Sequence, residues 1–337
     1  MKGEGTSMSS PLRVGLVGAS KIAIRSVLAP ARVLPGIEVV AISARDPGRA
    51  EAYAAEHGIG RVYASYAEML RDSAIDLAYV GTTPNVHAEQ ALGAVEAGKP
   101  VLVEKPFAMN ADEAQRVFEA AHAAGVPVFE GMHSLHHRLW ARVMEVIEGG
   151  MIGAVRHVEA EFSAFIAKEG NFRWDAQSGG GVLRDLGGYP LAWVRRVCGD
   201  AFRVTQAELE FEEGVGARFS TELMFKSGVS AAVRGSMIAT PARVRLIVEG
   251  ERGRLDVTNP LAPQLGHLLQ LNVDGKERTE TLEGPSTFEA QLTAVRATLQ
   301  EGKPFPLPAD SYVRSMEAID RVRAVLAERY GAPGALA

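Results

Sequence analysis

A phosphate cradle can be read in Gly18-Ala19-Ser20-Lys21-Ile22-Ala23, which follows the apolar run Leu12 to Val17. A dinucleotide fingerprint needs a tight turn, a small residue under the pyrophosphate and a small residue where helix meets strand. Gly18, Ser20 and Ala23 stand at those places as G-x-S-x-x-A. Ser20 departs from the usual glycine, but its hydroxyl can itself bond a phosphate. The cradle reading depends on the strand–turn–helix context, because the same hexapeptide also fits a plain turn.

The next apolar run, Glu38 to Ser43, ends without a carboxylate: Ser43-Ala44-Arg45 occupies the place where an NAD site carries an acidic ribose ligand. Arg45, and Arg49 one turn into the following helix, suit a 2′-phosphate instead. The alternative is two solvated arginines at a helix start, with Asp46 as the helix cap. These residues favour NADP over NAD.

Three further segments belong to strand ends or loops. Gly81-Thr82-Thr83-Pro84-Asn85-Val86-His87 should lie at the carboxyl edge of the sheet, where ligands bind. Val103-Glu104-Lys105-Pro106 ends a strand with a lysine, a candidate catalytic cation beside a cofactor and otherwise an exposed turn residue. The third segment runs Gly179-Gly180-Gly181-Val182-Leu183-Arg184-Asp185-Leu186-Gly187-Gly188-Tyr189. Its triple glycine suits a loop in close approach to a ligand. Asp185 and Tyr189, four apart, share one face of a helix. Gly187 and Gly188 each cost that helix about 1 kcal/mol relative to alanine, which suggests packing against something flat, a nicotinamide ring or another helix.

The elements that must position these groups alternate strand and helix through the first 131 residues. Strands are expected at Leu12–Val17, Glu38–Ser43, Asp76–Gly81, Val101–Glu104 and Val126–Glu130. Helices are expected at Ile22–Leu34, from Pro47 to Gly58, and at Val86–Ala97 and Ala111–Ala124. This alternation implies a parallel sheet with right-handed crossovers. After Gly149-Gly150 the pattern changes. Val155 to Phe165 alternates as a half-buried strand does. Four strand-like segments follow between Arg203 and Val257, Asp274-Gly275 marks a hairpin, and helices close the chain near Phe288–Gln300 and Asp310–Arg329. The fold class is therefore α/β. An N-terminal Rossmann parallel sheet (12–131) precedes a C-terminal α+β domain (132–337) with a large, mostly antiparallel open sheet for substrate and oligomerisation. Residues 1–11 are read as disordered or a tag.

The 337 residues carry a formal charge of -5 without a basic run, which argues against nucleic-acid binding. Cys198 is the only cysteine, so no intramolecular disulfide forms and a cytoplasmic setting is the simplest reading. No apolar run reaches the roughly 20 residues of a membrane span. His133, His136 and His137 lack the paired Cys or carboxylate ligands of a metal site, so no metal is expected and they are read as pocket-lining or helix-capping.

From about Leu12 to Tyr330 the chain resembles the glucose–fructose oxidoreductase, inositol dehydrogenase and rhizopine-catabolism (Gfo/Idh/MocA) family. The resemblance rests on Glu104-Lys105-Pro106, the Thr82-to-His87 turn and the GGG-x-x-x-D-x-G-x-Y segment. Within the family it is similar to the dimeric dihydrodiol dehydrogenases and NADP-dependent D-xylose dehydrogenases. These have a tyrosine at the place of Tyr189 and an arginine at that of Arg45. One stretch departs: Glu130 to Arg138 has Ser134, Leu135 and Arg138 where the family reads tyrosine, arginine and proline, near the substrate pocket.

The resemblance implies an NADP-dependent oxidoreductase, with NAD less favoured, acting on a sugar, polyol or dihydrodiol. It also admits NAD-dependent glycosidases and a non-enzymatic dinucleotide-sensing regulator; the presence of both Lys105 and Tyr189 argues against the regulator. The implied cofactor-binding set is Gly18, Ser20, Lys21, Ile22, Ala23, Ser43, Arg45, Arg49, Thr82, Thr83, Pro84, Asn85, His87, Glu104, Lys105 and Arg173. Tyr189 is the expected general acid/base. A free tyrosine titrates near 10, and a Lys105 ammonium beside it is expected to lower that value. Asp185 is expected to orient Lys105 or bond the substrate hydroxyl, and Arg173 to face cofactor or substrate. The C-terminal sheet is expected to leave one face apolar, around Val229 to Val233, and so to drive homo-oligomer formation.

Overall fold

The computed structural model describes residues 10–331, so the reading of 1–11 as disordered or a tag lies outside it for residues 1–9. Ser10 is fixed through its carbonyl, which accepts from Gln300 Nε2 at 2.9 Å.

Six parallel strands form the N-terminal sheet: β1 (Leu12–Val17), β2 (Ile37–Ser43), β3 (Arg61–Tyr63), β4 (Leu77–Val80), β5 (Val101–Glu104) and β6 (Val128–Gly131). Their spatial order is β3-β2-β1-β4-β5-β6. Strands β4 and β5 are buried at every residue, as strands covered on both faces must be. The order reverses at β1, so a crevice opens at the carboxyl ends of β1 and β4. The sequence reading missed β3 and the helix Tyr66–Arg71, because three residues of edge strand carry too little pattern.

The helix after β1 is not uniform. It runs α-helical over Lys21–Ala23, widens to a π-turn over Ile24–Leu28 and resumes over Ala29–Val33. Pro30 brings no N–H for the carbonyl of Ser26, which favours an irregular ladder there.

Eight strands form the second sheet: β7 (Val155–Phe165), β8 (Phe202–Glu212), β9 (Val215–Phe225), β10 (Ser230–Ser236), β11 (Ile238–Gly250), β12 (Gly253–Thr258), β13 (Leu268–Val273) and β14 (Lys276–Glu280). The order is β14-β13-β12-β11-β7-β10-β9-β8. Only β7 and β10 pair in parallel. Five strands, not the expected four, fall between Phe202 and Thr258, because β10 and β11 are parted by Met237 alone.

The open face of this sheet corrects another expectation. Ala231 and Val233 point into the core. The opposite row on β10 holds Ala232 and Arg234, and Arg234 lies opposite Glu161 and Ser220. Arg218–Glu210, Arg234–Glu159 and Arg245–Asp256 continue the pattern. The face is a lattice of charges, not an apolar surface.

The chain returns to the first domain near its end. Ser286 and Glu289 form a reciprocal capping box that starts helix Thr287–Glu301. Its Leu292 and Val295 are buried in the same apolar cluster as Leu12, Leu16 and Phe129. This helix, from beyond residue 132, therefore packs against the parallel sheet. Helix Ser311–Tyr330 packs between the two halves: Tyr312 stacks on Phe107 at 4.1 Å, and Asp320 accepts from the Ala111 N–H at 2.7 Å.

Candidate functional site

At the crevice, Gly18 adopts φ +96, and its N–H donates to the Ser43 carbonyl at 2.8 Å. A Cβ at Gly18 would come within 2.8 Å of Thr82 Cγ2, so only glycine fits between the first loop and the Thr82 turn. Ser20 caps the helix by accepting from the Ala23 N–H at 3.4 Å, with Lys21 and Ile22 opening the helix behind it. Two groups from helix Pro47–His57 hold the loop carbonyls: Arg49 donates to Ala19 O at 2.7 Å and Tyr53 to Ser20 O at 2.9 Å. Arg49, expected at a 2′-phosphate, is exposed and gives one guanidinium nitrogen to this loop. Arg45 stands solvent-exposed just past β2 and makes no side-chain hydrogen bond or ion pair among the described residues.

The Thr82-to-His87 turn is internally bonded. Thr82 donates to Gln90 at 2.6 Å, Thr83 donates to Asn85 at 2.7 Å, and Pro84 begins a short 3-10 turn. His87 is buried and its ring nitrogens face the Thr82 carbonyl (3.1 Å) and the Pro106 carbonyl (2.9 Å). Burial lowers its pKa against the pull of these carbonyls, and the ring ties the turn to the end of β5. Glu104 is likewise interior. Its Oε1 accepts from Ser26 and Tyr79, both at 2.8 Å, and burial raises its carboxyl pKa. Both residues are buried beneath the crevice, with both His87 ring nitrogens and the Glu104 Oε1 facing protein groups.

Lys105 leaves the end of β5 and crosses to the second domain. Its Nζ donates to Asp185 Oδ1 and to the Asp185 carbonyl, each at 2.8 Å. The other carboxylate oxygen accepts from Arg173 Nε at 2.6 Å. Burial pushes the Asp185 carboxyl up, but the charges and hydrogen bonds of Lys105 and Arg173 outweigh it and hold it below the ordinary range. Asp185 therefore orients Lys105, with both its oxygens taken, and Arg173 faces Asp185.

Asp185 and Tyr189 do not share one helix. The segment forms Val182–Asp185 and, after a break, Gly188–Cys198. A Cβ on Gly187 would lie 2.5 Å from the Leu183 carbonyl and 2.8 Å from Phe219 Cζ. The flat partner is the Phe219 ring of β9, not a nicotinamide. At Gly179, φ +88 and a would-be contact of 2.7 Å with Pro84 Cβ let the glycine loop close onto the Thr82 turn.

Lys105 Nζ sits 4.8 Å from the centroid of the Tyr189 ring, over its face and not beside its hydroxyl. Tyr189 is buried, and burial, then the Glu104 and Asp185 charges, push its pKa well above the ordinary value; Arg173 pulls the other way. The net shift is upward, opposite to the lowering expected from Lys105, whose hydrogen bonds go to Asp185. The tyrosine hydroxyl meets His133 Nε2 at 2.8 Å instead.

In the Glu130-to-Arg138 stretch, Ser134, Arg138 and His137 bond to other protein groups. Ser134 accepts from Trp193 Nε1 at 3.1 Å in the core, Arg138 donates to the Glu283 carbonyl at 2.8 Å, and His137 caps helix Arg138–Glu148. His133 is the residue of this stretch that reaches the site. It was expected to line the pocket or cap a helix, but its partners Tyr189 and Thr287, 56 and 154 residues away, were not foreseen.

Residues 12–132 match the profile of an oxidoreductase family with an NAD-binding Rossmann fold (GFO_IDH_MocA), and residues 140–256 match the GFO/IDH/MocA C-terminal domain. The chain is 31% identical over 314 residues to D-xylose 1-dehydrogenase (NADP(+)) 2 of Haloferax volcanii, covering 91% of this chain and 95% of that protein. It is 31% identical over 268 residues to trans-1,2-dihydrobenzene-1,2-diol dehydrogenase of Xenopus tropicalis, covering 78% and 79%. Among solved structures, a 3-ketoreductase from Actinomadura kijaniata in complex with NADP and TDP-benzene superposes with a TM-score of 0.86 at 26% identity, over 94% of this chain and 98% of that one.

Proposed function

This chain belongs to the Gfo/Idh/MocA family of oxidoreductases, and on that premise we propose that it is an NADP-dependent enzyme interconverting hydroxyl and carbonyl on a sugar, polyol or dihydrodiol. The observation that carries the reading is the convergence of Lys105, Asp185 and Tyr189, from two halves of the chain, at the carboxyl edge of the parallel sheet.

The crevice fits a dinucleotide. Gly18 has no room for a side chain, and the Ala19 and Ser20 carbonyls are drawn aside by Arg49 and Tyr53. Gly18, Ser20, Lys21, Ile22 and Ala23 would hold the pyrophosphate at a helix start. Arg45, exposed and without a carboxylate neighbour at the ribose position, would take the 2′-phosphate. When bound, the nicotinamide supplies or takes up the hydride.

The chain's own residues handle the proton. Tyr189 gives its hydroxyl proton to the substrate oxygen in reduction and recovers it in oxidation. Lys105, fixed by Asp185, places a positive charge where the substrate oxygen gains negative charge. Arg173 keeps Asp185 ionised, which in turn keeps Lys105 in place. We assign residues 12–131 and helix Thr287–Glu301 to cofactor binding, and the remainder of 132–337 to substrate and assembly. A single cysteine suits work in the cytoplasm.

The test is turnover of NADP+ with D-xylose, other sugars, polyols and trans-dihydrodiols. We expect reduction of NADP+ with at least one of these classes. Absence of turnover across all classes with both NADP+ and NAD+ would overturn the reading.

A further inference from the structure

Tyr189 is too poor an acid to work alone. It is buried, and the carboxyl groups of Glu104, Asp185 and Glu130 all oppose its ionisation. As it releases a proton, negative charge develops on its oxygen, while Lys105 stands over the ring face with its hydrogen bonds directed to Asp185. Some other group must face that oxygen.

The structure supplies one. His133 Nε2 lies 2.8 Å from the Tyr189 hydroxyl, with the two rings inclined at 70°. The other ring nitrogen, Nδ1, lies 2.8 Å from Thr287 Oγ1. The Phe288 ring packs against His133, with centroids 3.9 Å apart and planes tilted by 30°. All three polar residues are buried, and they come from three separate elements: the turn after β6, helix Gly188–Cys198 and helix Thr287–Glu301.

We propose that His133, with its tautomer set by Thr287, is the positioning residue for Tyr189: Thr287 donates to Nδ1, and Nε2–H donates to the tyrosine oxygen. This inference rests on the reading of Tyr189 as the proton donor. Burial, then the nearby charge of Lys105, keeps the imidazole neutral, so only one ring nitrogen carries a proton. With that proton on Nε2, the tyrosine's own hydrogen is free to point at the substrate. In reduction the tyrosine O–H bond breaks, its proton joins the substrate oxygen, and the phenolate accepts the His133 N–H. No imidazolium forms. The phenolate is reprotonated from solvent when product leaves. Oxidation runs the same steps backwards.

The test uses the full chain with NADP(H) and the substrate on which the wild type turns over, comparing His133→Phe, His133→Gln, Thr287→Val and Tyr189→Phe. Losing one donor aimed at a developing oxyanion costs about 10²–10³-fold in kcat. We expect that loss for His133→Phe with NADPH affinity unchanged, partial recovery for His133→Gln, which keeps an N–H, and a smaller loss for Thr287→Val. In the Tyr189→Phe background His133→Phe should cost nothing further. An ultraviolet titration without substrate gives a second readout. The phenolate signal that Tyr189→Phe abolishes should move to higher pH in Thr287→Val and His133→Phe. Should His133→Phe fail to fold, the Thr287→Val titration and kcat decide alone. A His133→Phe enzyme within about twofold of wild type, or an unmoved titration, overturns this inference while a slow Tyr189→Phe enzyme leaves the tyrosine reading intact. A fully active Tyr189→Phe enzyme overturns both.

Discussion

Lys105 and Asp185, 80 residues apart, meet at 2.8 Å across the crevice, and the carboxylate is shared with Arg173. Both partners of the lysine pair are largely buried, with side-chain exposures of 11% and 6%. Removing the single anion leaves two cations facing each other, whereas removing the lysine leaves Asp185 paired with Arg173. Breaking a buried pair costs about 3–5 kcal/mol. Asp185→Asn should therefore lower the melting temperature clearly more than Lys105→Met; equal or reversed losses would contradict the shared-carboxylate account. Because the folded Asp185 titrates below its unfolded value, its contribution is complete above pH of about 4 and fades only as pH falls below that.

Cofactor choice rests on Arg45. One charge-assisted phosphate contact contributes about 1.5–3 kcal/mol. Arg45→Ala should weaken NADP+ by about 10- to 100-fold and leave NAD+ nearly unchanged. Titration of each nucleotide into wild type and variant checks this; equal losses for both, or native preference for NAD+, would refute it. Arg49→Ala should weaken both cofactors alike, since Arg49 supports the loop that either would use.

Glu130 offers a pH test on stability. Burial pushes its carboxyl up to about 7, against the hydrogen bond from Ser315. A carboxyl raised on folding binds its proton more tightly in the native state. Its favourable contribution is complete below the unfolded value near 4.3 and is lost as pH rises through about 7. Glu130→Gln should gain stability over wild type at pH 8 and lose most of that gain at pH 5. A gain independent of pH would show that Glu130 is not protonated in the fold.

We expect a homo-oligomer, on a different ground from an apolar sheet face. The open face of the second sheet alternates arginine and glutamate in rows, and a twofold-related copy can satisfy both signs at once. Sedimentation at micromolar concentration should show a dimer or larger species that dissociates with added salt, and Arg234→Glu should weaken it. A wild-type monomer at low salt would contradict the expectation.

Legibility in the sequence held where pattern is local. The β1 turn, the Asp46 cap and the end of β5 each follow from a few adjacent residues, and the parallel order follows from their alternation. It failed where partners are distant. Gly187 announces a flat neighbour, but nothing in the spacing says that the neighbour is Phe219. Lys105 and Tyr189 both look chemical, yet the reading could not see that Asp185 would capture the ammonium and leave the phenol to His133. Within Glu130 to Arg138, spacing alone could not separate Ser134, bonded to Trp193 in the core, and the exposed Arg138, bonded to the Glu283 carbonyl, from His133, which reaches the site.

The direct test of the central claim is the rate of Tyr189→Phe, with NADPH binding measured on the same sample. The account predicts near-native NADPH affinity and turnover reduced by roughly 10²–10⁴-fold, the usual worth of general acid–base catalysis. Lys105→Met should also slow turnover, through loss of the charge near the substrate oxygen. A Tyr189→Phe enzyme within a few-fold of wild type, alongside an inactive Lys105→Met enzyme, would contradict the account and make Lys105 the proton donor.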